Sequence, residues 1–104
     1  MRLKYLGMDV TMKEIILDFK KFMTAKSAHR YIERQMDFQD HYGRNLDALY
    51  DCLTDISDHI KVKIINCDML DHTDNSIVNV FWDAAEENEL LEVEVERGIR
   101  RDED

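Results

Sequence analysis

At 104 residues with 44% hydrophobic content, the chain has length and material for one cored domain and no room for two. Fourteen Lys and Arg against 23 Asp and Glu leave a formal charge of −9 and a pI near 4.8. That field disfavours nucleic acid and anionic membranes as partners and favours a basic molecule. Two cysteines, Cys52 and Cys67, make no disulfide framework and match no zinc spacing, so reduced thiols in a cytoplasmic protein are expected. No apolar run approaches the length of a membrane span, and the first residues lack the apolar stretch of a secretory signal.

Residues 1–12 read as an N-terminal extension, with Met12 a candidate start because ordered pattern begins just after it. The domain is expected over residues 13–96. Glu14 to Phe19 is a continuous apolar run, which predicts a strand buried on both faces and central in its sheet. Between Ser27 and Phe38, Ala28, Tyr31, Ile32 and Met36 recur at helical spacing. Asn45 is a good N-cap, and Leu46, Leu49, Leu53 and Ile56 follow on one helical face. Lys61 to Ile65 reads as a second strand whose lysines suit a sheet edge. Asp74 or Ser76 is the expected cap of a long helix carrying Ile77, Val78, Val80, Phe81, Ala84 and Ala85. Leu91 to Glu96 alternates strictly, as a strand with one wet face does, and residues 97–104 read as a disordered charged tail. This order predicts the α/β class, with a small three-stranded parallel sheet covered by helices.

The middle helix carries the chemistry. Asp47, Tyr50, Asp51 and Thr54 stand at i, i+3, i+4 and i+7, a stripe opposite the leucines. Two carboxylates one turn apart repel each other by a few tenths of a kcal/mol and do nothing for the helix. One reading is a solvated face of an acidic protein. The other is a binding face, where the carboxylates, a phenol and a hydroxyl receive Arg, Lys or protonated His through charge-assisted bonds.

The run Tyr42-Gly43-Arg44-Asn45-Leu46-Asp47-Ala48-Leu49-Tyr50-Asp51-Cys52-Leu53-Thr54 resembles the signature of the barstar family, intracellular inhibitors of barnase-type ribonucleases. The resemblance extends from Met12 to Glu96, through Lys13–Ala25, Ser27–Met36 and Val80–Glu86. It implies a three-stranded parallel sheet flanked by helices, and a middle helix laid into a basic ribonuclease active site where RNA phosphate would sit. On that pattern Asp51 is the carboxylate placed deepest in the phosphate pocket and Asp47 its partner one turn earlier. Tyr50 takes the family's tryptophan position, and Thr54 continues the face. Tyr42 and Gly43 belong to the contact loop, His41 replaces a packing tyrosine, and Asp83 falls on an outlying carboxylate of the last helix, where the family has the longer glutamate. Trp82 is expected to half-bury. The segment Asn66–Asn75 is shorter than its family counterpart, so a short helix there is expected to reduce to a turn.

The resemblance therefore implies a one-to-one complex with a basic ribonuclease, a monomer when free, no catalysis, no cofactor and no metal. An interaction module or immunity protein for a basic partner other than a ribonuclease would use the same acidic face. Asp68, Asp71, His72 and Asp74 cluster as a hydrolytic metal site might, but match neither EF-hand nor zinc spacing. Cys52 with His41 or His59 is a weaker candidate for nucleophilic catalysis. The glycines, Gly7, Gly43 and Gly98, form no phosphate-binding loop.

Overall fold

In the computed structural model, residues 12–38 and 42–97 are described. Residues 1–11 of the expected extension, residues 98–104 of the expected tail and His41 lie outside them, whereas Arg97, expected to open the tail, is the last residue of a strand. The elements are β1 (Lys13–Asp18), a 3-10 turn (Phe19–Lys21), α1 (Ala25–Met36), α2 (Leu46–Thr54), β2 (Ile60–Cys67), α3 (His72–Glu87) and β3 (Leu91–Arg97). All three strands are parallel, in the order β1-β2-β3. Each crossover is helical, as parallel pairing requires.

The central strand is therefore β2, not the more apolar β1. In β2, Ile60, Val62 and Ile64 are buried while Lys61 and Lys63 alternate onto the other face. There Lys61 Nζ lies 3.0 Å from Glu94 Oε1, and Lys63 Nζ lies 3.9 Å from Glu96 Oε1. The lysines are cross-strand partners of the β3 glutamates rather than edge guards. The Glu94 carboxylate pushes the Lys61 ammonium above its ordinary pKa, and Lys61 lowers Glu94 in return. β1 buries Ile15 and Leu17 but leaves Ile16 51% exposed. The helices cover one face of the sheet, and the second is a solvated ladder of charge. A continuous apolar run indicated a strand but overstated its burial.

Leu17, Val62 and Ile64 meet Ile32 of α1, Leu49 and Leu53 of α2, and Ile77, Val78 and Phe81 of α3 in one cluster, each of them essentially inaccessible to water. Local chemistry fixes the helix starts. Thr24 and Ser27 form a reciprocal capping box at α1, each hydroxyl accepting the other's backbone N–H at 3.1 Å. The cap of α3 is Asp71, whose Oδ1 accepts the Asp74 N–H at 3.0 Å. The helix thus begins before the expected Asp74 or Ser76. Asp74 is buried inside its first turn, where Oδ2 accepts the Asp68 N–H at 2.9 Å. Burial pushes its carboxyl above the usual range. These loop carboxylates act as caps and turn acceptors.

β2 ends in a register irregularity at Asn66, whose φ of 58° is left-handed. Its Nδ2 donates to Asp18 Oδ1 at 2.9 Å, joining the ends of β1 and β2. That bond, ahead of the Lys20 N–H and the nearby lysines, holds the Asp18 carboxyl below its usual pKa. A turn at residues 69–70 then leads to α3, as the short segment predicted. Trp82, expected to half-bury, is instead among the exposed large hydrophobic side chains of the described residues, at 42%.

Candidate functional site

The chain reaches α2 through a short, tightly determined approach. Tyr42 is buried beside Phe38, with ring centroids 5.1 Å apart, and its hydroxyl hydrogen-bonds to His29 Nδ1 on α1. Arg44 takes a left-handed φ of 57°, while Arg44 Nε donates to Glu33 Oε1 of α1 at 2.8 Å. Gly43 serves close approach: a Cβ there would stand 3.2 Å from Ala48 Cβ and 3.3 Å from Asn45 Nδ2. Asn45 then caps α2, its Oδ1 accepting the Ala48 N–H at 2.7 Å.

His29 and Tyr42 make this anchoring sensitive to acid. Burial lowers the imidazole below its ordinary pKa of 6.5 and pushes the Tyr42 phenol far up. Between the folded-state value and about 6.5 the unfolded chain binds the extra proton. Stability from this site is therefore complete above about pH 6.5 and declines as pH falls through the folded-state value. Urea melts at pH 7 and pH 5 should show the loss, and His29→Gln should remove that part of the pH dependence.

On α2 itself Leu49 and Leu53 are fully buried, whereas Leu46 is 38% exposed at the start of the first turn. The opposite stripe is as the spacing predicted: Asp47 and Asp51 exposed, Tyr50 and Thr54 half-buried. Neither carboxylate has a hydrogen-bond or ion-pair partner among the described residues. The Thr54 hydroxyl donates back to the carbonyls of Tyr50 at 3.0 Å and Asp51 at 3.1 Å, which leaves its oxygen as an acceptor.

Tyr50 marks the seam with α3. Partial burial first, then the negative charges of Glu87, Asp83 and Asp51, raise its phenol above the ordinary value. The hydroxyl therefore stays a protonated donor, flanked by carboxylates from two helices. From Asn45 to Ile60, and again from Ile64 to Glu96, there is no Lys or Arg. Helices α2 and α3 consequently carry acidic groups with no interspersed cation. The structure thus brings Asp47, Tyr50, Asp51, Thr54 and Asp83 onto one surface. Gly43 stands at its entrance. Tyr42 is placed beneath it, so this side chain sets the loop from the core rather than lying open to a partner. His41 is outside the described residues.

The family model described as Barstar (barnase inhibitor) matches residues 12–97, a span that includes every strand and helix above. The chain belongs to the barstar family. It is also 49% identical over 43 residues to a Bacillus subtilis (strain 168) protein named "Putative ribonuclease inhibitor YrdF". That match takes in 41% of this chain and 47% of the relative, so the chain spans about half the length of that curated protein.

In this barstar-family chain two residues of the site escaped the sequence reading. Glu87 is one, a full helical turn beyond Asp83 on α3, and the i, i+4 interval to Asp83 was the signal available for it. Asn88 is the other. Its Nδ2 donates to the carbonyls of Leu53 at 3.1 Å and Ile56 at 3.0 Å, with a longer contact to Thr54, and its Oδ1 accepts the Leu90 N–H at 3.0 Å. One amide at the end of α3 thereby satisfies the exposed end of α2 and sets the two helices against each other. Asn88→Ala should cost about 1–3 kcal/mol, because carbonyls lose a partner in a half-buried place. Chemical denaturation measures it, and a stability equal to wild type would show that water replaces the amide without penalty.

Proposed function

We propose that this barstar-family chain inhibits a basic ribonuclease by laying the face of α2, with the adjoining end of α3, over the active site. The observation that carries this reading is the convergence of Asp51, Asp83 and Glu87 about Tyr50 on two helices that hold no cation. Asp47 and Asp51 accept the Lys, Arg or His groups that would otherwise bind RNA phosphates, Asp51 at the centre and Asp47 one turn before it. Tyr50 donates its hydroxyl and covers the rim, Thr54 offers an acceptor, and Asp83 with Glu87 extends the negative surface outward. Gly43, at the entrance to α2, flanks this face. The chain transfers no group and needs no cofactor in this role, since occupying the phosphate positions suffices.

The family relationship and the relative named as a ribonuclease inhibitor support the same direction. The test is a titration of a barnase-type ribonuclease with this protein, followed as residual RNA cleavage, with saturation expected near one-to-one. A folded protein that leaves cleavage untouched would transfer the acidic face to a basic partner that is not a ribonuclease. Steering by exposed charge adds a kinetic expectation. Charges are screened over about 10 Å at 0.1 M salt, so association should slow by about tenfold or more between roughly 0.01 and 0.5 M. Stopped-flow fluorescence reads the rate, and an on-rate indifferent to salt would remove steering from the mechanism.

A further inference from the structure

Leu70 and Met23 are the most exposed large hydrophobic side chains among the described residues, at 95% and 91%, and both line the same groove. The groove, about 700 Å³ in volume, lies where β1 and β2 end, at the opposite end of the chain's β2 from the α2 connection. Phe19 and Phe22 come to it from the 3-10 turn after β1, and Cys67 and Met69 from the exit of β2. Single exposed hydrophobics need no explanation, but two nearly bare ones on a shared aromatic and thioether groove do.

Leu70 is also presented by a built turn. Its own N–H donates to Asp68 Oδ1 at 3.0 Å, and the Asp71 N–H donates to the Asp68 carbonyl at 2.9 Å. Asn75 Nδ2 donates to the Met69 carbonyl at 3.1 Å, and the Asp68 N–H to Asp74 Oδ2 at 2.9 Å. Turn positions of this kind favour Gly, Asn, Asp or Ser. Here a leucine is held at the tip of a turn whose backbone is already ordered, which reduces the entropy lost when a partner arrives. Met23 and Met69 supply flexible, polarizable contacts that adapt to an incoming side chain.

Charge then selects the partner. Asp68, Asp71 and Asp74 stand on the α3 side, against Lys20 opposite. Asp68 and Asp71 are exposed and each uses one carboxylate oxygen on a backbone N–H. Each keeps the second oxygen without a recorded partner among the described residues, free to receive a cation. We propose that this groove docks a segment of a partner protein that presents a large apolar side chain flanked by Arg or Lys. None of the residues lining it belongs to α2, nor is Asp83 or Glu87 among them, so the two sites can be occupied independently.

The test is methyl and amide NMR of the full chain titrated with a capped Arg-Arg-Leu-Phe-Arg-Arg peptide, beside Arg-Arg-Ser-Ser-Arg-Arg as control. Saturable shifts are expected at Phe22, Met23, Met69 and Leu70, with the serine peptide about tenfold weaker or worse. Leu70→Ser, at a site too exposed to matter for folding, should weaken the first peptide to a similar degree, and Asp51→Ala should leave it unchanged. Three results would overturn the proposal: equal binding of both peptides, binding indifferent to Leu70→Ser, or shifts that gather on α2 and vanish with Asp51→Ala. Dilution of the protein alone, or removal of residues 98–104, reproducing the same shifts would also overturn it, by giving the groove to a second copy or to the chain's own end.

Discussion

Asp51→Ala is expected to weaken inhibition of a barnase-type ribonuclease by roughly 30-fold to several thousand-fold while leaving the fold intact. In the free chain the Asp51 carboxylate is exposed and unpartnered among the described residues, so nothing in the core depends on it. Its removal even relieves the i, i+4 repulsion from Asp47, worth a few tenths of a kcal/mol. In the proposed complex the situation would reverse: the carboxylate would be desolvated against a cation of the enzyme, and truncation would leave that cation buried and unpaired. Such losses amount to about 2–5 kcal/mol or more, a range set in part by the barnase–barstar complex itself. The same titration of RNA cleavage reads the change, with urea denaturation of the free variant beside it. Full potency in a folded Asp51→Ala protein would remove Asp51 from the centre of the interface.

Leu53→Ala, two residues further along the same helix, should show the opposite pattern. Leu53 is wholly inaccessible and lies in the cluster with Leu49 and Phe81. Its truncation removes buried methyl groups and leaves a space that neighbouring side chains only partly fill, which costs about 2–5 kcal/mol. Domains of this size are stable by about 5–15 kcal/mol, so the loss moves the denaturation midpoint far down. At temperatures where the variant remains folded, the acidic stripe keeps its residues and inhibition should persist. Denaturation curves measured beside the cleavage titration separate the two roles. A Leu53→Ala protein as stable as wild type would mean that α2 is held by its caps and by Asn88 rather than by its leucines.

These variants would divide one helix into a face that folds and the face proposed to bind, and the buried and exposed sides themselves were legible in the sequence. Leu49 and Leu53 against Asp47, Tyr50, Asp51 and Thr54 is a matter of helical spacing, and Asn45 announces where the helix begins. The alternation of Leu91 to Glu96 likewise disclosed a strand with a wet face. The cap of α3 was less legible because Asp71, Asp74 and Ser76 are all good capping residues, and backbone geometry chose the first of them. Lys61 and Lys63 misled for a different reason. Periodicity reports that a strand has a charged face, but the glutamates that neutralise that face lie some thirty residues away on β3.

What the sequence determined by itself is what neighbours within a turn or two of chain can decide: the type and order of the strands and helices, the acidic stripe of α2, and the excess of negative charge. The tertiary structure decided how those pieces meet. It placed β2 at the centre of the sheet, put Tyr42 under the site with His29, and used Asn88 to join the ends of α2 and α3, 35 residues apart. It also gathered Asp83 and Glu87 around Tyr50, turning an acidic stripe into an acidic surface. The physical reason is the same in each case. Hydrophobic burial and helical or strand periodicity are recorded along the chain, whereas the partner of a side chain across a helix seam or a sheet is chosen by packing of the whole core.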